Sequence, residues 1–208
     1  MTGHTAALTL AYLGATLGVA MVVPQIVRIL RHPSLGGVSP PSWALTALAC
    51  LTWLIYGVRT QTLPQIPGNV LLVCGAVAIV LLVPGEVSAG RRALRLAAAA
   101  ALIVSVASLV PARSIGYLAF CIGLLSAWPQ VFDSVAGWRA GGESGVSIST
   151  WAIKACSQTC WLTYAVATSD GPVTISATVA LSTAVALVVV ESSRRGLAGR
   201  RSVALEPA

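Results

Sequence analysis

The chain has 208 residues, 56% of them hydrophobic and only 9% charged, with a mean hydropathy of +0.85. A soluble domain carries roughly 25% charged residues, so these side chains cannot clothe a water-facing globule, and the apolar content is far above that of a disordered segment. A net charge of +7 carried by so few groups is read below as a topology signal, not as a basic face for nucleic acid.

Seven apolar runs follow in chain order, at 6–27, 38–57, 67–83, 93–110, 114–136, 146–168 and 172–190. Each has the length of a membrane-spanning helix, which takes about 20 apolar residues. The connecting segments carry turn residues, as in HPSLGG, PGEVSAGRR and SDGP. The first run has no Lys or Arg before it and outlasts a signal-peptide core, so it is read as a span. Cys50, Cys74, Cys121, Cys156 and Cys160 all fall inside the runs without CxxC spacing. They are expected to be small packing residues, neither disulfides nor metal ligands.

Ten basic residues fall on one side of this arrangement: Arg28, Arg31, Arg91, Arg92, Arg95, Arg139, Arg194, Arg195, Arg200 and Arg201. Arg59 and Arg113 fall on the other, and Lys154 lies inside a run. The positive-inside rule then predicts an outer N-terminus and a cytoplasmic C-terminus. Twelve Arg to one Lys suggests a GC-rich bacterial genome, hence a plasma membrane.

The chain also repeats itself. At an offset of 105, Tyr12, Leu13, Gly18, Pro24 and Gln25 match Tyr117, Leu118, Gly123, Pro129 and Gln130. At an offset of 108, nine identities in twenty positions include Trp43, Trp53 and Tyr56 against Trp151, Trp161 and Tyr164. The predicted fold is all-α, with one three-helix unit at 1–90 and a second at 113–191. A linker span at 91–112 restores the parallel orientation, and a cytoplasmic tail fills 192–208. Parallel repeats imply a pseudo-twofold axis along the membrane normal, with a solute route on that axis.

Pro24-Gln25 and Pro129-Gln130, followed in each copy by GVS…W…W–x–x–Y, resemble the paired motifs of the PQ-loop superfamily. The helix count of three, one and three is similar to the SWEET sugar transporters. The lone Pro64-Gln65 is read as chance. The resemblance implies hinges at Pro24, Gln25, Pro129 and Gln130, where proline removes a helix hydrogen bond; a static kink is the other reading. It also implies a sugar pocket lined by Trp53, Asn69 and Trp161. Asn69 is the sole asparagine, and it and Trp53 each lie about one turn inside the outer boundary. An interfacial Trp belt and a helix-packing Asn remain the alternative. In the second copy the place of Asn69 is taken by Ala177, with Ser176 beside it.

Tyr56, Tyr164 and Asp170 resemble the family's outer gate, and an ordinary tyrosine belt would account for them equally. Arg28 and Asp133, each four residues beyond its proline, are placed to pair across the inner mouth or to be solvated there. Lys154 lies roughly 12 Å from the inner end of its span, where a charge costs at least about 2.5–3.5 kcal/mol and marks a functional candidate. It shares a helical face with Gln158 and Trp161 at i, i+4 and i+7; snorkelling to the interface is the alternative. Gly14 and Gly18 form a GxxxG, a weak pointer to a homo-oligomer.

No nucleotide loop, serine triad or metal cluster is visible, so no enzyme, cofactor or metal is expected. The expected partners are the bilayer and a small polar solute, sugar or amino acid, with no nucleic acid. The leading function is transport of such a solute, most simply a sugar, by alternating access. An amino-acid or organic-anion transporter using Lys154 as carboxylate partner is the first alternative. A receptor or accessory protein of the same fold, without transport, is the second.

Overall fold

A computed structural model describes residues 2–21, 40–83, 86–139 and 148–204, without the side chains of 2, 4, 129–139 and 194–204. Among the described residues the chain forms helices only: α1 (Thr2–Ala20), α2 (Pro40–Thr60), α3 (Gln65–Leu82), α4 (Ala89–Leu109), α5 (Ala112–Arg139), α6 (Ile148–Thr168) and α7 (Gly171–Ala204). Four segments are long and apolar enough to cross a bilayer unaided, namely α2, α3, α4 and the 23 residues Gly171–Ser193 of α7. The apolar parts of α1 and α5 are shorter over the described residues. α6 is less apolar because it carries Lys154, Ser157 and Gln158, which the fold turns inward. Helix α7 also runs to Ala204, well beyond the apolar run ending at 190, since nothing in the Arg-rich segment breaks a helix.

Packing follows the repeat. In the first unit α3 contacts both α1 and α2, and in the second α7 contacts both α5 and α6. The units meet through two contacts that exchange under the pseudo-twofold, α1 on α6 and α5 on α2. Among the described residues helix α4 packs chiefly on α2 and α3. Lateral order is therefore α1–α3–α2 and α5–α7–α6, with a seam between units and the linker helix outside the first.

Small residues make both seams close. A Cβ on Gly14 would lie 3.1 Å from Cys160 Cβ, Ser157 O and Trp161 Cδ1, and Ser157 Oγ donates to Gly14 O at 2.8 Å. The Gly14 end of the GxxxG of α1 is thus used inside the chain against α6. On the matching seam, α5 presents buried Ala119 and Gly123, and Gly123 faces Ala49 of α2. A Cβ on Gly116 would stand 2.6 Å from Pro172 Cβ and 2.9 Å from Tyr56 Cε2, so only glycine admits α5 at that depth.

The repeat extends into backbone conformation. Gln61 and Ser169, related by 108 residues, are the two non-glycine positions with positive φ among the described residues, at 57° and 56°. In both turns the next residue donates to the carbonyl five back, Thr62 N to Gly57 O and Asp170 N to Ala165 O, each at 2.9 Å. These are Schellman closures with a left-handed residue after the helix. Both close a short connection into a buried proline, Pro64 or Pro172, at the head of the next helix.

The cysteines depart from expectation. Cys50 is buried, but Cys74, Cys121 and Cys156 are exposed on the bundle surface. Small apolar side chains satisfy a lipid-facing position as well as a packed one, and the sequence pattern does not separate the two.

Candidate functional site

Between the two units lies a cavity of about 530 Å³, within the usual range of ligand sites. Its lining respects the internal symmetry: Trp43 and Trp151, Thr46 and Lys154, and Trp53 and Trp161 all border it in pairs. Each Trp of the last pair stands edge-on to a tyrosine one turn further along. Trp53–Tyr56 centroids are 5.5 Å apart at 85°, and Trp161–Tyr164 centroids 5.9 Å apart at 86°. Edge contacts of this kind fix ring orientation and add about 0.5–1.5 kcal/mol beyond burial.

All six residues singled out as solute contacts, Trp53, Asn69, Lys154, Gln158, Trp161 and Ser176, border this one cavity. Asn69 Nδ2 donates to Gln65 O at 2.8 Å, which leaves its second N–H and its carbonyl oxygen for other use. Lys154 Nζ lies 4.6 Å from the centroid of the Trp151 ring one turn back. That placement follows from the tilt of helical side chains toward the N-terminus. Trp151 is itself seated against Ala184 and Leu187 of α7, so the lysine rests on a fixed ring.

Gln65 was dismissed in the sequence as part of a chance Pro-Gln. It is 3% exposed, borders the cavity, and its Oε1 has no hydrogen-bond partner. A Cβ on Gly57 would sit 2.9 Å from Gln65 Cβ, so glycine at 57 is what admits the side chain. Only the neighbouring helix reveals this; the one sequence signal is a polar residue heading an apolar run.

At the end of the bundle that holds the α2–α3 and α6–α7 turns, a smaller polar chamber of about 330 Å³ is lined by Tyr56, Thr60, Gln61, Thr62, Tyr164, Thr168 and Asp170. Six of these form three repeat-related pairs. The gate trio is brought together here: Tyr56 Oη donates to Asp170 Oδ1 at 2.7 Å, joining the two units. The same carboxylate oxygen accepts the Val173 N–H at 3.2 Å and so caps α7. Thr62 holds the matching position beside Tyr164, with a hydroxyl where the second unit has a carboxylate.

Pro24, Gln25 and Arg28 lie outside the described residues. Pro129, Gln130 and Asp133 fall within helix α5, but their side chains lie outside them too. Arg59, counted as a topology signal, donates to the carbonyls of Ala107 and, at 2.9 Å, Val110. It closes the C-terminus of α4, where free carbonyls attract a cation.

Among the described residues, four helices long and apolar enough to cross a bilayer, in two like units about a cavity, define a multi-pass membrane protein. A family model described as PQ loop repeat matches residues 6–66. The fold superposes on a solved structure described as a eukaryotic SWEET transporter, with a TM-score of 0.75 at 13% identity, covering 94% of this chain and 100% of that one. No curated protein matches the chain. Residues 6–66 thus match a PQ loop repeat, and the chain as a whole shares the fold of that SWEET transporter structure.

Proposed function

We infer that the protein carries a small polar solute across the membrane by alternating access, the solute resting in the 530 Å³ cavity. The observation behind this reading is that repeat-related positions of both units line one cavity, while Tyr56 and Asp170 join the units at one end of it. On the charge bias this end faces outward and the C-terminus lies in the cytoplasm, and the excess of Arg over Lys points to a bacterial plasma membrane. On this reading the Tyr56–Asp170 bond holds the outer route shut, and Pro24 and Pro129 would act as hinges for opening toward the inside. A sugar suits the cavity because two indole faces, Trp53 and Trp161, can stack on a ring while Asn69 reaches its hydroxyls.

The test is uptake of radiolabelled solutes, glucose first, into liposomes holding the purified protein. Saturable uptake, weakened by Asn69→Ala by about 0.5–1.5 kcal/mol for each hydrogen bond lost, supports the reading. Ligand binding with no flux of any solute would overturn it in favour of a receptor. Cysteine labels at Gly171 and Arg59 reacting from outside, and at Gly142 only after permeabilisation, establish the orientation.

A further inference from the structure

The two walls of the central cavity differ although the helices that build them are related by the repeat. Helices α3 and α6, both packed on α1, contribute Asn69, Lys154 and Gln158. Their counterparts on α7 and α2, both packed on α5, are Ala177, Thr46 and Cys50. Three hydroxyls on that second wall already donate to their own helices, while that of Ser176 on α7 has no hydrogen-bond partner among the described residues. Thr46 Oγ1 donates to Ser42 O at 3.0 Å, Ser126 Oγ to Gly123 O at 2.8 Å, and Thr183 Oγ1 to Val179 O at 2.8 Å. The amide and ammonium donors, Asn69, Gln158 and Lys154, are therefore gathered on one side.

That side is also charged. Among the described lining residues Lys154 is the one acidic or basic side chain, and it forms no ion pair with a described carboxylate. The Trp151 face attracts the ammonium but does not neutralise it. A cation held at this depth has an unmet demand for an anion. Going up the same face of α6, Lys154, Gln158 and Trp161 form a ladder about 10 Å long by helix rise: ammonium, amide, indole. Across from its upper end stand Asn69 and Trp53.

We propose that the cavity takes an acidic sugar, a uronate or an aldonate, with its carboxylate on Lys154, its hydroxyls on Gln158 and Asn69, and its carbon skeleton against Trp161 and Trp53. The assignment rests on the transport reading, since the same cavity serves both. A zwitterionic amino acid fits less well, because its ammonium group would enter a cavity that already holds a cation and no described anion.

Binding of glucuronate, glucose and alanine to the purified protein in nanodiscs, measured by titration calorimetry, tests this apart from transport. Glucuronate is expected to bind about tenfold tighter than glucose or more, the effect of a hydrogen bond to a charged group. Lys154→Gln should bring that ratio toward one, and Lys154→Arg should retain it. Equal binding of glucuronate and glucose by the wild type, or a preference that survives in Lys154→Gln, overturns the assignment, as does tighter binding of alanine. Liposome flux separates the two readings. Glucose carried as well as glucuronate sinks the acidic-sugar assignment and leaves transport standing, whereas tight glucuronate binding without flux of any solute does the reverse.

Discussion

The hydroxyl of Tyr56 donates to Asp170 Oδ1 at 2.7 Å across the seam between two units that are otherwise copies of each other. Tyr56 is 4% exposed while Asp170 is half-buried at the edge of the polar chamber, and a bond to a charged acceptor contributes about 1.5–3 kcal/mol. The repeat supplies a tyrosine on both sides but a carboxylate on one only. The closure is therefore one strong bond.

Tyr56→Phe should keep the fold, since the ring still packs against Ala107, Ile115 and Ala165, and should loosen the turn end of the bundle. A maleimide probe on Thr60→Cys, in the polar chamber, should then react faster than in the parent by a factor of about 10. Unchanged reactivity would show that apolar packing alone holds this end shut.

The two glycines of the α1 motif should respond differently. In Gly14→Ala the new Cβ meets the Ser157 backbone oxygen at 3.1 Å, which cannot rotate away, so α1 must shift at a cost of about 1–3 kcal/mol. In Gly18→Ala the nearest neighbour is Ser157 Oγ at 3.8 Å, an ordinary contact. Melting in detergent should fall for the first and stay within error for the second. Equal effects would remove the seam geometry as the cause.

Gln61 and Ser169 hold a left-handed backbone that costs a side-chain-bearing residue about 1–2 kcal/mol and glycine little. Gln61→Gly and Ser169→Gly should each raise the melting temperature, and the pair should add because the two turns bond separately. A loss in both would mean that the Gln61 side chain, bonded to Val58 O at 2.8 Å, and the Ser169 side chain matter more than the backbone.

Much of the fold could be read from the sequence because spans and repeats are one-dimensional signals. Apolar runs mark helices, and identities at offset 108 mark equivalent turns, including the places where Trp53 and Trp161 would meet. Lateral order could not be read: apolar runs say that helices pack, not that α3 lies between α1 and α2. Gln65 escaped because its burial depends on Gly57 in another helix leaving room. Arg59 was counted as a charge when its guanidinium serves helix α4, a role fixed by where α4 ends in space. Lys154, Gln158 and Asn69 stood out because a polar group in an apolar run is conspicuous before any contact is known.

Replacing Arg59 by Gln should release the last turn of α4, since two carbonyls lose a charged donor. Hydrogen exchange should rise at residues 105–110 first, with an overall loss of about 1–2 kcal/mol, less than a buried pair would give because Arg59 is exposed. Lys should restore part of the loss, because both bonds leave one nitrogen, Nη1, and an ammonium can also donate twice. Exchange unchanged at that segment would show that packing of α4 on α2 suffices.

The same clasp decides where the polypeptide can be cut. Because α4 leans on α2 and α3 and is fastened by Arg59, it belongs mechanically with everything before it, although it precedes the second unit as a tether. A break at 110–111 leaves each fragment with its own caps and its own half of the cavity wall. A break at 87–88 would strand α4 on the wrong piece and ask it to find its dock from outside. Fragments 1–110 and 111–208 should therefore reassemble when co-expressed, and 1–87 with 88–208 should do so poorly.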